Sequence, residues 1–149
     1  MVTYTCNHFN QQMLQLNHDM WLLICKDFTT CEKIALASIN KLMESLKHKF
    51  EYYDDVNAHT ICNLSYRHNF KYVFQLAETT HIPDYVTHVY FHDALDQPIE
   101  GRIPKSVIQI VFGRSFSHPL LIPETVKHVI ISRIYEKATK PIGPNYHYF

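Results

Sequence analysis

In the second half of the chain, apolar residues return at fixed offsets of three, two, four and four positions. One set is Val86, Val89, Phe91, Leu95 and Ile99, the next Val107, Ile110, Phe112, Phe116 and Leu120, and the third Val126, Val129, Ile131 and Tyr135. An Ile-Pro pair precedes each set, at Ile82-Pro83, Ile103-Pro104 and Ile122-Pro123, with the proline three residues before the opening valine. Before Val86, a fainter copy reads Ile61, Leu64, Tyr66, Phe70 and Phe74, giving steps of 25, 21 and 19 residues (61 to 86, 86 to 107, 107 to 126). Self-similarity at this period predicts a solenoid of about four copies, because one such unit cannot bury its own apolar face and must stack on its neighbours.

Each copy is expected to supply one short strand and a return segment. Strand side chains alternate, so Val89, Phe91, Ile110, Phe112 and Val129 are predicted to face a core, and His88, Tyr90 and Gln109 the opposite side. Parallel stacking at roughly 4.8 Å then aligns equivalent positions in columns. One outward column is predicted as Asn63, His88, Gln109 and His128, the next as Ser65, Tyr90, Val111 and Ile130, flanked by Arg67, His92, Gly113 and Ser132. Solenoids use their open faces for binding, which makes Asn63, Ser65, Arg67, His88, Tyr90, His92, Gln109, Val111, His128 and Ile130 the candidate target-binding residues, with Tyr90 as the anchor. Proline cannot donate to a ladder, and its placement suits the turn back into the sheet. The competing readings are an antiparallel domain with chance turn prolines and, for the outward face, a merely solvated sheet surface.

From Met13 to about Phe50 the period-2 signal gives way to helical spacing. Met20-Trp21-Leu22-Leu23-Ile24-Cys25 predicts a compact apolar helix ending near Phe28, and Thr29-Thr30-Cys31-Glu32 has the spacing of a capping box that opens a second helix. Ile34, Leu36, Ala37, Ile39, Leu42, Met43, Leu46 and Phe50 supply its apolar positions, leaving Lys33, Lys41, Glu44 and Lys47 for solvent. A composition shift at Glu51 to Asp55 marks the junction with the repeats.

Of the 149 residues 46% are apolar, enough for a real core, and Lys+Arg and Asp+Glu both number 14. That balance provides no basic field for phosphates or anionic lipid, so neither nucleic acid nor membrane is an expected partner. Cys6, Cys25, Cys31 and Cys62 show no CxxC pairing, and no secretory leader pattern precedes them, which favours a reducing, intracellular setting. The apolar run Met20 to Cys25 is far short of the roughly 20 residues of a membrane span. His88-x-x-x-His92 has a ligand-like spacing, but on a strand the two rings lie roughly 13 Å apart, so no metal is expected. The cysteines lack an adjacent base and orienting group, and there is no phosphate-cradling glycine loop. The expectation is a protein without cofactor or catalytic residues, an enzyme with an unrecognised site being the weakest alternative.

Leu16-x-x-Asp19-x-Trp21-x-x-Ile24-x-x-x-Phe28, followed by Glu32-Lys33-Ile34-Ala35-Leu36-Ala37-Ser38 and Asn40-Lys41-Leu42, resembles an F-box. Ile103-Pro104-x-Ser106-Val107-x-x-Ile110-x-Phe112-Gly113-x-x-Phe116 resembles an FNIP repeat. Together they are similar to the F-box and FNIP repeat-containing proteins of giant amoebal viruses. Asn17 stands where an F-box usually has proline, and Thr29 where it usually has leucine. The resemblance implies an α+β fold: an F-box-like helical unit over residues 11–50 packed on a leucine-rich-like FNIP solenoid with a parallel sheet over 58–137. It further implies a non-catalytic substrate receptor of a cullin-type ubiquitin ligase in the host cell cytoplasm. In that role Leu16, Asp19, Trp21, Ile24 and Phe28 dock a Skp-family adaptor, and the repeats hold an unknown target protein. The alternative is a stand-alone interaction solenoid whose N-terminal helices only cap the stack.

Overall fold

A computed structural model describes residues 16–39, 41–119, 121–131 and 146–148. The chain divides into two compact units, Met1–Tyr52 and Tyr53–Phe149.

In the first unit, α1 (His18–Ile24) opens on Asn17, whose side-chain oxygen accepts the Met20 amide at 2.9 Å. The residue that departs from the F-box pattern is therefore the N-cap, satisfying an amide that has no partner within the helix. Helix α2 (Thr30–Ala37) carries the expected capping box, with the Thr29 amide donating to Glu32 Oε2 at 2.8 Å and the Glu32 amide to Thr29 Oγ1 at 3.3 Å. The Thr29 amide and the Thr29 hydroxyl, each donating to Glu32 Oε2 at 2.8 Å, hold the Glu32 carboxyl below its ordinary range. The second helical run is interrupted, contrary to the sequence reading. Ser38 closes α2 by donating its hydroxyl to Ile34 O at 2.7 Å, and the chain resumes as α3 (Lys41–Glu44) and a 3-10 turn (Ser45–His48). Serine bonding back four residues competes with helix continuation. Trp21, Cys25, Ala37, Met43, Leu46, Phe50 and Tyr52 form the core. Lys33, expected in solvent, is buried, its Nζ donating to Glu51 O at 3.0 Å; the long aliphatic stem packs inside while the ammonium finds a carbonyl.

The second unit is built on a six-stranded sheet in chain order: β1 (Tyr52–Asn57), β2 (Phe70–Ala77), β3 (His88–Phe91), β4 (Gln109–Val111), β5 (His128–Ile131) and β6 (Tyr146–Tyr148). From β2 to β6 every pairing is parallel. This is a parallel β-solenoid of about four turns, and β6 extends it beyond the point where the sequence pattern fades. The inward column Val89, Ile110 and Val129 is in register, as predicted. Phe91, Phe112 and Ile131 are buried one step further along, with Phe91 and Phe112 stacked at 5.4 Å and Phe112 against Phe116 at 4.5 Å.

Each Ile-Pro turn closes identically: Val86, Val107 and Val126 donate their amides at 3.1 Å to the carbonyls of Pro83, Pro104 and Pro123. The proline thus fixes the backbone and supplies an acceptor where its missing donor costs nothing. On the return side, polar clamps tie one coil to the next. Asp93 accepts the Arg114 amide at 3.0 Å, and Asp96 accepts both the amide and the hydroxyl of Ser117 at 2.9 Å. Gly113 sits directly on the previous coil, where a Cβ would lie 2.5 Å from both Asp93 Cα and His92 O.

The first coil departs from the sequence reading. Register pairs Phe74 with His88, Gln75 with Val89 and Leu76 with Tyr90, so the step into β3 is 14 residues (74 to 88), not 25. Residues 58–69 are not a strand: they hold α4 (Ala58–Ile61), capped by Asn57, and a 3-10 turn (Arg67–Asn69). The apolar spacing at Ile61, Leu64 and Tyr66 is that of successive turns, Leu64 donating its amide to Ile61 O at 2.9 Å and Arg67 to Leu64 O at 3.2 Å, and five positions cannot separate such turns from a strand by period alone.

Candidate functional site

The open face of the sheet carries the columns Phe74, His88, Gln109, His128 and Leu76, Tyr90, Val111, Ile130. Six of the ten predicted target-binding residues, His88, Tyr90, Gln109, Val111, His128 and Ile130, stand together there. Asn63, Ser65 and Arg67 do not, because they belong to the helical segment before β2. Arg67 is occupied internally, donating from Nη1 to Cys62 O at 3.2 Å and lying 5.2 Å above the Tyr85 ring. His92 lies past the end of β3, where its Nδ1 accepts the Ala94 amide at 3.1 Å, and it lines a separate hollow with Glu78, Leu95 and Asp96. Gly113 is buried against the preceding coil, and Ser132 lies outside the described residues.

The face is not flat. A hollow of about 640 Å³ opens at its β1–β4 end, with Asp55 from β1, Tyr72, Phe74 and Leu76 from β2, His88 and Tyr90 from β3, and Gln109 from β4. Tyr72, Leu76 and Tyr90 are 42%, 58% and 38% exposed, which sets them apart from their buried strand neighbours Val73, Ala77, Val89 and Phe91. Thr87 positions the histidine: its Oγ1 lies 2.8 Å from His88 Nδ1 and also accepts the Val73 amide at 2.8 Å. The Tyr72 and His88 rings approach to 6.0 Å. Burial pushes the His88 imidazole below its ordinary pKa, opposed by the Asp55 carboxylate and reinforced by His128. Burial thus disfavours the charged form of this imidazole.

Asp55, Tyr72 and Leu76 were not among the expected site residues, and Phe74, read as the fifth apolar position of the first copy, stands on the open face instead. Tyr72-Val73-Phe74 is a run of strand formers, a signal masked by aligning the first copy on Ile61.

A match to known proteins covers the middle of this sheet. The family model for the FNIP Repeat matches residues 96–133. The FNIP match spans β4 and β5 with the segments that lead into them and stops short of β2, β3 and the N-terminal helices. No match to an F-box accompanies it. No curated protein and no solved structure matches the chain.

In the helical unit, Asp19, Ile24 and Phe28 are exposed, Leu16 is half-buried, and Trp21 is buried. Met20 and Leu23 add further exposed apolar surface, Leu23 at 74%. Among the described residues, no group of three or more His, Cys, Asp or Glu side chains is placed to hold a metal ion, and no helix is long and apolar enough to cross a membrane. Cys25 is buried, which raises its thiol pKa.

Proposed function

We propose that this chain is a non-catalytic recruiting protein: its FNIP-type sheet captures a target protein on the open face, and its N-terminal helices dock a Skp-family adaptor of a cullin-type ubiquitin ligase in the cytoplasm of a host cell. The observation that carries the first half is the exposed row Tyr72, Leu76 and Tyr90 around a hollow. Exposed aromatic side chains beside a concavity are the usual anchors of protein interfaces. The second half draws on Met20, Leu23, Ile24 and Phe28, which leave apolar surface in solvent on and just after α1, a feature of interaction sites. Joining two binding surfaces acts through effective concentration and needs no catalytic group.

The test is binding of the purified chain to a purified Skp-family adaptor by calorimetry. Leu23→Asp with Ile24→Asp abolishes that complex under this reading, whereas Tyr72→Ala with Tyr90→Ala abolishes target capture and spares the adaptor. A second reading, a stand-alone interaction solenoid, is favoured by the FNIP match without an accompanying F-box and by Asn17 in place of proline. Lack of adaptor binding by the unmutated chain would select it.

A further inference from the structure

The hollow on the open face has a chemistry more specific than apolar. Among the described residues Asp55 is the one carboxylate that lines it, no lysine or arginine does, and the other members are aromatic, aliphatic, amide and imidazole groups. Among the described residues, no lysine or arginine forms an ion pair with Asp55. Resting on the reading of this face as a docking surface, we propose that the hollow receives a lysine or arginine side chain of the target protein, its cationic head on the Asp55 carboxylate and its stem across Tyr72, Phe74 and Tyr90.

Charge complementarity selects this occupant. A docked protein strips water from Asp55, and a carboxylate removed from water without a partner is strongly penalised. A neutral apolar anchor would incur that penalty, and an acidic peptide, a nucleic acid or an anionic lipid headgroup would add repulsion to it. A basic side chain removes it. Its methylene stem lies along apolar surface while the head stays polar, and tyrosine and phenylalanine faces attract cations. A bare divalent ion fits poorly, since one carboxylate beside one imidazole falls short of the six or more oxygen ligands of calcium.

The experiment uses the full chain and fluorescent ten-residue peptides of Gly, Ser and Thr with a central Tyr-X-Tyr, where X is Lys, Arg, norleucine or Glu, read by fluorescence anisotropy. Expected is binding of the Lys and Arg peptides about tenfold tighter than norleucine, the scale of one charge-assisted pair, with Glu weakest. Asp55→Asn reduces the preference to under about threefold and leaves the norleucine peptide unweakened, while Asp84→Asn, at an exposed carboxylate that does not line the hollow, changes nothing. An unchanged melting temperature in Asp55→Asn excludes misfolding. Norleucine binding as tightly as Lys, with both lost in Tyr72→Ala/Tyr90→Ala, overturns the cationic assignment and leaves the docking face standing. Lys preference that survives both Asp55→Asn and the double alanine variant puts the site elsewhere and overturns both, as does the absence of any peptide binding.

Discussion

The coils around β3, β4 and β5 and the coil entering at β2 use the same sheet for different ends. In the former, Val89, Ile110 and Val129 fill one inward column, each Ile-Pro turn closes by the same bond, and Asp93 and Asp96 fasten one return segment to the next. In the latter, the inward column holds Gln75, the step shortens to 14 residues, and the lead-in is helical. The hollow is lined mainly by that irregular end. Regular coils build a rigid support because identical contacts add up along the stack. The hollow depends on what repetition removes, a local break that exposes Tyr72 and Leu76 and leaves Asp55 beside them.

The sharpest way to break this contrast is Phe112→Ala, which empties the stacked aromatic column and is expected to cost about 3–5 kcal/mol, read by denaturant melts. Gln109→Ala on the open face should change stability little. Equal losses at the two positions would erase the distinction between core and face. Next in size is Gly113→Ala. The new methyl meets backbone atoms of His92 and Asp93, which cannot swing aside as a side chain could, so a loss of about 1–3 kcal/mol is expected; a neutral result would mean that the coils can separate at this point.

Gln75→Val runs in the opposite direction. Gln75 Oε1 is buried with no hydrogen-bond partner among the described residues, and its Nε2 makes only a 3.3 Å bond to His81 O. Supplying the valine found at Val89 and Val129 should stabilise the second unit by about 1 kcal/mol, visible as a raised urea midpoint. A loss would show that Gln75 belongs structurally to the irregular coil.

The smallest effect is a pH dependence. Hydrogen bonds from the Ser117 hydroxyl and amide, with His118 adding to them, hold the Asp96 carboxyl below its ordinary pKa. The folded state therefore binds this proton less readily than the unfolded chain. The clamp's contribution is complete above the unfolded carboxylate pKa and is lost as pH falls through the lower folded value. Asp96→Asn should lower the melting temperature slightly near neutrality and flatten its decline in acid. An identical acid profile for the two proteins would show that the clamp holds nothing.

What was legible in the sequence was what repeats. The offsets at Val86, Val107 and Val126 fixed parity, and parity placed His88, Tyr90 and Gln109 outside and Val89, Ile110 and Phe112 inside, because side-chain alternation is a local property of a strand. The capping box at Thr29 was legible for the same reason: four consecutive residues complete it. Register between coils is different. Whether Val89 faces Leu64 or Gln75 depends on how much chain the first return segment consumes, and that depends on whether residues 58–69 pack as helical turns or as strand. Local spacing reads alike in both cases, and only burial against the rest of the solenoid separates them. Tertiary structure thus decided that Lys33 is buried on the Glu51 carbonyl, that Arg67 turns onto Tyr85, and that Asp55, distant in sequence, stands among Tyr72, His88 and Tyr90. A hollow is made of neighbours in space, and its members share no period along the chain.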